Sequence, residues 1–197
     1  MAGTRARRTD AELVAAVRAA VVEELAEVGL GKLTMEGIAH RAGTAKTSLY
    51  RRWDSPQAVL LDALRAEFPQ ERPRTTSDDL RQDLIEALAL MVRWMATPTA
   101  RAVASVLAER DRYPELADAI YAHVFDSKGG RFTSTVLRHY ADAGALDPAL
   151  LTPVVADIGE ALVLKLAFDS DELPTEHTLA AIVDQAILPA VGFPPMQ

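Results

Sequence analysis

A chain of 197 residues, 49% of them hydrophobic, holds enough apolar material for one large or two modest cores, which excludes disorder as its overall state. It has no apolar run of about 18 residues, no apolar stretch after the N-terminal arginines, and no cysteine. A membrane span, a secretory signal, a disulfide framework, a thiolate zinc site and a cysteine nucleophile are therefore not expected, and a soluble cytoplasmic protein is. The net charge of −7 argues against a polyanionic partner until its distribution is considered. Up to Pro56 there are nine Lys/Arg against seven Asp/Glu, and from Gln57 onward twelve against twenty-one. Positive charge clusters at Arg5, Arg7 and Arg8 and again at Lys46, Arg51 and Arg52; for the arginine run, a solvated basic tail is the plain alternative.

Nearly every segment carries the helical period and none shows sustained alternation, so the fold class is all-α. Asp10 is a candidate cap for a first helix whose apolar side runs Leu13, Val17, Ala20, Val21, Leu25 and Val28, stopped by Gly29. Thr34 caps a second helix, with Leu33 and Ile38 at the spacing of a hydrophobic staple. Ser55 and Pro56 start a helix that runs to about Phe68, proline standing where its missing N–H costs nothing. From Pro69, two prolines and a polar cluster interrupt the period and mark a boundary, which gives domains of 1–68 and 74–192. Beyond it, Ser77 is the expected cap of a helix that carries Leu80, Leu84, Leu88, Met91 and Met95 and breaks at Pro98. A short helix from Thr99 to about Glu109 follows, then a long one from Pro114 to about Ala143. Gly129 and Gly130 predict a kink or break inside the long one. The last two helices, about Pro148 to Phe168 and Pro174 to Val191, are apolar over more than one stripe, which suggests a second surface to cover.

The stretch Leu33–Trp53 carries the most information. Ile38 and Ala39 point inward from its first helix, and Gly43 can adopt the positive φ of a tight inter-helical turn. Ala45, Leu49 and Trp53 return to the same core from the next helix. Ile38, Ala39, Gly43, Leu49 and Trp53 together match the spacing of a helix-turn-helix. The opposite face then presents Lys46, Thr47, Tyr50 and Arg51, at steps of three and four residues. Charged donors, a hydroxyl and an aromatic tip, beside the free N–H groups of a first helical turn, suit phosphates and base edges. A merely solvated polar face is the alternative.

Residues from about Arg8 to Leu64 resemble the DNA-binding domain of the tetracycline-repressor (TetR) family of bacterial transcriptional regulators. The pieces that match are "LTMEGIAHRAG", "TSLYRRW" and "AVLLDAL", three helices in register with the Leu49–Tyr50 pair and an aromatic at Trp53. The resemblance implies an N-terminal three-helix DNA-binding domain and a C-terminal helical domain for ligand binding and dimerisation. Thr34 and Tyr50 are then expected on phosphates, and Lys46, Thr47, Ser48 and Arg51 in the groove. His40 and Arg41 fall near the DNA-backbone side, with a structural role as the alternative for His40. Two positions depart from the family pattern: Gly37 sits inside the second helix, and Pro56 stands where relatives often carry a phosphate-binding lysine. Arg51 or Arg52 are the candidate substitutes for that lysine.

The resemblance also implies a homodimer bound to a palindromic double-stranded DNA operator as a repressor, released by a small-molecule effector of unknown identity, with no cofactor and no membrane. The surplus apolar surface of the last helices supports a dimer independently, with Val155, Ala156, Gly159, Leu162, Val163, Ile182, Val183 and Ala186 as candidate interface residues. Full burial of both helices within one subunit is the alternative. Met91, Trp94, Met95, Tyr121, Phe125, Phe132 and Phe168 are candidates for an apolar ligand pocket, or for ordinary core. An enzyme is not expected. The histidines at 40, 123, 139 and 177 lack metal-ligand spacing, and no HExxH, phosphate loop or GxSxG occurs. The remaining rival is a helical protein-interaction module that keeps the fold without specific DNA binding.

Overall fold

The computed structural model describes residues 9–69, 79–125, 132–170 and 172–193, and among these the regular structure is helical, with no strand. They form two compact units, Met1–Phe68 with Pro98–Val124, and Pro69–Thr97 with Phe125–Gln197. The first unit thus takes in a segment that a linear boundary after residue 68 leaves to the second.

In the first unit, α1 spans Asp10–Val28. Thr9, not Asp10, is its cap: the Thr9 hydroxyl accepts the Glu12 N–H at 3.3 Å while the Glu12 carboxylate accepts the Thr9 N–H at 2.7 Å. This reciprocal pairing satisfies two orphan donors, and Asp10 is left in the first turn, where the helix dipole favours a negative charge. A short 3₁₀ turn, Leu30–Lys32, leads to α2 (Met35–Ala42), α3 (Lys46–Tyr50) and α4 (Pro56–Glu67). Helices α6 (Pro98–Ala108) and α7 (Pro114–Ile120) complete the unit, α6 packing on α1 and α4, and α7 on α4 and α6. Val17, Val21, Ile38, Leu49, Leu60 and Leu64 are fully buried at its centre. Each such side chain contributes about 1.5–3 kcal/mol by leaving water. A bidentate pair from Arg18 to Asp62, at 2.9 and 3.1 Å, ties α1 to α4, and the Thr99 hydroxyl at the head of α6 donates to Glu67 at the foot of α4.

The second unit contains α5 (Leu80–Met95), α8 (Phe132–Asp142), α9 (Pro153–Ser170), α10 (Glu176–Ile182) and α11 (Leu188–Ala190). Asp79 caps α5 by accepting the Gln82 N–H, whereas the expected cap Ser77 lies outside the described residues. The stretch from Pro114 to Ala143, expected as a long helix kinked or broken at its glycine pair, contains α7, a wide π-type turn over Tyr121–Phe125, and α8. Gly129 and Gly130 lie outside the described residues. The helix expected to begin at Pro148 starts at Pro153, because Pro148–Leu150 form a separate 3₁₀ turn and Leu151 leaves helical geometry with ψ 60°. A second π-type turn, Val183–Ile187, joins α10 to α11. The core is Leu84, Leu88, Leu137, Val163, Val183 and Ile187.

Candidate nucleic-acid interface

The geometry of the α2–α3 pair follows from its sequence step by step. Thr34 adopts extended backbone and its hydroxyl oxygen accepts the Gly37 N–H at 3.0 Å, so α2 begins at Met35. At the other end Gly43 sits in the left-handed region (φ 62°, ψ 42°). Its N–H donates to His40 and the Thr44 N–H to Ala39, the paired bonds that close a helix and turn the chain sharply. Leu49 and Trp53 then drop into the core below α2, beside Ile38, Ala39 and Ala42. Ala45, expected inward with them, is exposed instead, because it serves as the extended residue that opens α3.

What α3 leaves outside is polar. Lys46, Thr47, Tyr50, Arg51 and Arg52 are exposed, and Ser48 is half-buried. The Tyr50 ring, 51% exposed, lies under the Lys46 ammonium at 5.8 Å, and the same ammonium is 3.9 Å from Glu36. A pair at that distance and exposure is weak, so Lys46 can leave it for a phosphate or a base edge. Arg52 is less free, since it bonds Asp10 at the head of α1. Thr34, though occupied as a cap acceptor, keeps its hydroxyl hydrogen to donate to a phosphate.

Arg41 is directed away from this surface. Its Nε donates to Glu24 at 2.9 Å, its Nη2 donates to Glu27, and Glu23 lies 3.8 Å from Nη1. The hydrogen bonds to Glu27 and Glu24 hold the guanidinium above its ordinary pKa. The family resemblance puts Arg41 near the DNA backbone, whereas the structure turns it onto Glu24 of α1. The available signal was an acid on the inward stripe of α1, in line with Ala20, Val21 and Val28.

In the second unit the candidate pocket residues separate. Trp94 and Phe125 meet edge to face, with ring centroids 6.5 Å apart. Met91 and Phe132 are buried, and Met95 is half-buried. Phe168, expected with them, is 83% exposed on α9 and so is not buried with them, and Tyr121 is exposed and belongs to the first unit. Three polar arrangements lie in the second unit. Tyr140 donates to Asp83 at 2.8 Å, Arg81 donates twice to Asp184 at 2.6 and 2.8 Å, and Thr133 donates through its N–H and its hydroxyl to Glu160 at 3.0 Å. Arg81 holds the Asp184 carboxyl below the usual carboxylate range, whereas burial pushes Glu160 up despite those donors. Among the described residues no group of three or more His, Cys, Asp or Glu is placed to hold a metal ion, and no helix is long and apolar enough to cross a membrane.

The candidate dimer residues also divide. Gly159, Val163, Ile182 and Val183 are buried within their own unit, so they are core and not a free face. A Cβ on Gly159 would lie 2.9 Å from both Ile187 Cδ1 and Thr133 Cγ2, so the close approach it permits is internal to the chain. Val155, Ala156, Leu162 and Ala186 are half-buried. The uncovered apolar side of α9 is Val154 at 74% exposure, Leu164 and Phe168; of these the sequence pattern marks only Val154 as part of the surplus apolar surface.

Two family models match the chain. One, described as bacterial regulatory proteins of the tetR family, covers residues 17–63, and the other, a tetracyclin repressor-like C-terminal domain, covers 74–186. An uncharacterized HTH-type transcriptional regulator of Mycobacterium tuberculosis is 28% identical over 167 residues, 85% of this chain and 82% of that protein. Among solved structures, the TetR family transcription regulator SCO0332 is 28% identical with a TM-score of 0.64, covering 89% of this chain and 97% of that one. A TetR-family regulator from Mesorhizobium loti shares the fold at 16% identity, with a TM-score of 0.66 and coverage of 93% and 97%. The helix-turn-helix at Thr34–Trp53 and the helical unit beyond it are therefore parts of one known architecture, and the chain belongs to the TetR family of DNA-binding transcriptional regulators.

Proposed function

We propose that the chain is a cytoplasmic repressor that binds a palindromic operator as a homodimer and leaves it when a small-molecule effector binds. The observation that carries this reading is the division of α3: Leu49 is fully buried while Lys46, Thr47, Tyr50 and Arg51 stand exposed on one side. A short helix anchored from below with donors above can enter a major groove, Lys46 and Arg51 reading base edges, Thr34 and Tyr50 holding phosphates. Pro56 removes one phosphate contact at α4, and the exposed Arg51 is the candidate to replace it, since the neighbouring Arg52 bonds Asp10.

Dimerisation is supported by the exposed apolar side of α9. A dimer carries two α3 helices, and operator half-sites about 34–36 Å apart would offer each a successive major groove. The effector reading is supported by the Trp94–Phe125 contact and by Met91 and Met95 on the same helix as Trp94, side-chain types that accommodate apolar ligands. An effector releases DNA only if it favours the DNA-incompetent form, since equal affinity for both would shift nothing. Selection of duplexes from a genomic fragment library with the purified chain tests the reading: recovery of palindromic fragments next to promoters supports it. Recovery of no fragment would favour a helical interaction module that keeps the fold alone.

A further inference from the structure

We propose that Glu24, Arg41 and Gly37 form a positioning device that sets the angle of α2 on α1, and through the Gly43 turn the presentation of α3 to DNA; this rests on the operator-binding reading. Glu24 lies on the inward side of α1 and is only 9% exposed. A carboxylate at that depth is costly without partners, and its partner is the Arg41 Nε–H at 2.9 Å. The same guanidinium reaches Glu27 and approaches Glu23, so one side chain from the last turn of α2 grips two turns of α1. Arg41 stands two residues before Gly43, the pivot from which α3 departs.

Gly37 supplies the other half of the device. A Cβ there would overlap the Glu24 carboxylate, sit 2.9 Å from its Cδ, and lie 3.3 Å from the Thr34 hydroxyl. Glycine is the least favourable helix former after proline, and α2 has only eight residues in which to absorb that weakness. The space left by its missing side chain is filled by Glu24. The notch admits the carboxylate, the carboxylate orients Arg41, and Arg41 fixes the helix that carries the pivot. Arg41 is accordingly a positioning residue that acts through α1 and is not a phosphate ligand.

The test uses the full chain, with a duplex enriched by the wild type from a random-sequence library, and amide hydrogen exchange of residues 35–42 in the free protein. Gly37→Ala and Glu24→Ala are each expected to weaken binding on the order of tenfold and to speed exchange of α2. Glu24→Gln, which keeps an acceptor for Arg41 Nε, should stay within about twofold of wild type on both measures. The Glu24→Ala/Gly37→Ala pair should bind no more weakly than Glu24→Ala alone, because the overlap has gone. Wild-type affinity and exchange in both single variants, or losses that simply multiply in the pair, would overturn the proposal. If no duplex is enriched, the operator reading fails while exchange in the free protein still decides the device. If Gly37→Ala does not fold, the Glu24→Ala and Glu24→Gln comparison decides it with the glycine in place.

Discussion

The outward side of α3 and the outward side of α9 are both left uncovered by the chain, and they are built from opposite residues. On α3 the exposed groups are Lys46, Thr47, Tyr50 and Arg51, all able to donate hydrogen bonds; on α9 they include Val154, Leu164 and Phe168. A hydrated cationic edge stays monodisperse in water and gains by releasing counterions from a nucleic acid. An apolar strip gains by meeting another apolar surface, and patches of that kind on soluble proteins mark association sites. The contrast matches the proposed reading, in which the first unit meets a polyanion and the second meets another copy of the chain.

Substitutions that compare buried and exposed positions sharpen this contrast. The largest expected effect is at the base of α3, where Leu49→Ala should lower unfolding stability by about 2–5 kcal/mol in guanidinium titration, with DNA binding lost as a consequence of unfolding. Val163→Arg belongs to the same class, because Val163 is fully buried, and so it reports on the core of the second unit and not on a dimer. On the outer side of α3 the loss should fall on binding instead: Lys46→Ala should cost about 1–3 kcal/mol and relax preference at one base pair, while unfolding stays at the wild-type midpoint.

A smaller effect tests the interior of the second unit. Burial raises the Glu160 carboxyl above the ordinary glutamate range, so the folded chain holds this proton more tightly than the unfolded chain does. The contribution of Glu160 to stability therefore falls as pH rises through the interval between its unfolded and folded values. Glu160→Gln, which keeps an acceptor for Thr133, should raise Tm at neutral pH, and the gain should disappear in acid below the ordinary glutamate range. A gain that persists unchanged in acid would mean that its source is not the buried charge. The smallest effect on stability is expected at Phe168→Glu, within about 0.5 kcal/mol of wild type, with the sedimenting mass falling to that of one chain. An unchanged mass would remove α9 from the interface.

Legibility in the sequence differed between the same two regions. The turn of the first unit is written in local chemistry that admits few solutions: Leu33, Thr34 and Ile38 fix an entry, Gly43 an exit, and Ser55–Pro56 a start. Where two cap residues stood side by side, Glu12 decided for Thr9 over Asp10 by completing the reciprocal pair. The clamp of Arg41 on Glu24 was not legible, because it depends on which charged residue α1 turns inward and on the empty space at Gly37 opposite. On α9 the apolar residues run around most of the circumference, so periodicity cannot say which ones the chain buries. Gly159 and Val163 went inside and Phe168 outside for reasons of tertiary packing that no local signal carries.

The central claim, that the exposed side of α3 is the DNA-binding surface, is tested most directly by titrating salt against affinity for a selected duplex with wild type and with a Lys46→Ala/Tyr50→Ala/Arg51→Ala variant. The account predicts wild-type affinity that falls steeply as salt rises, and a variant of unchanged helical content and mass whose binding is lost at every salt concentration. Equal affinity and equal salt dependence in the two proteins would contradict it.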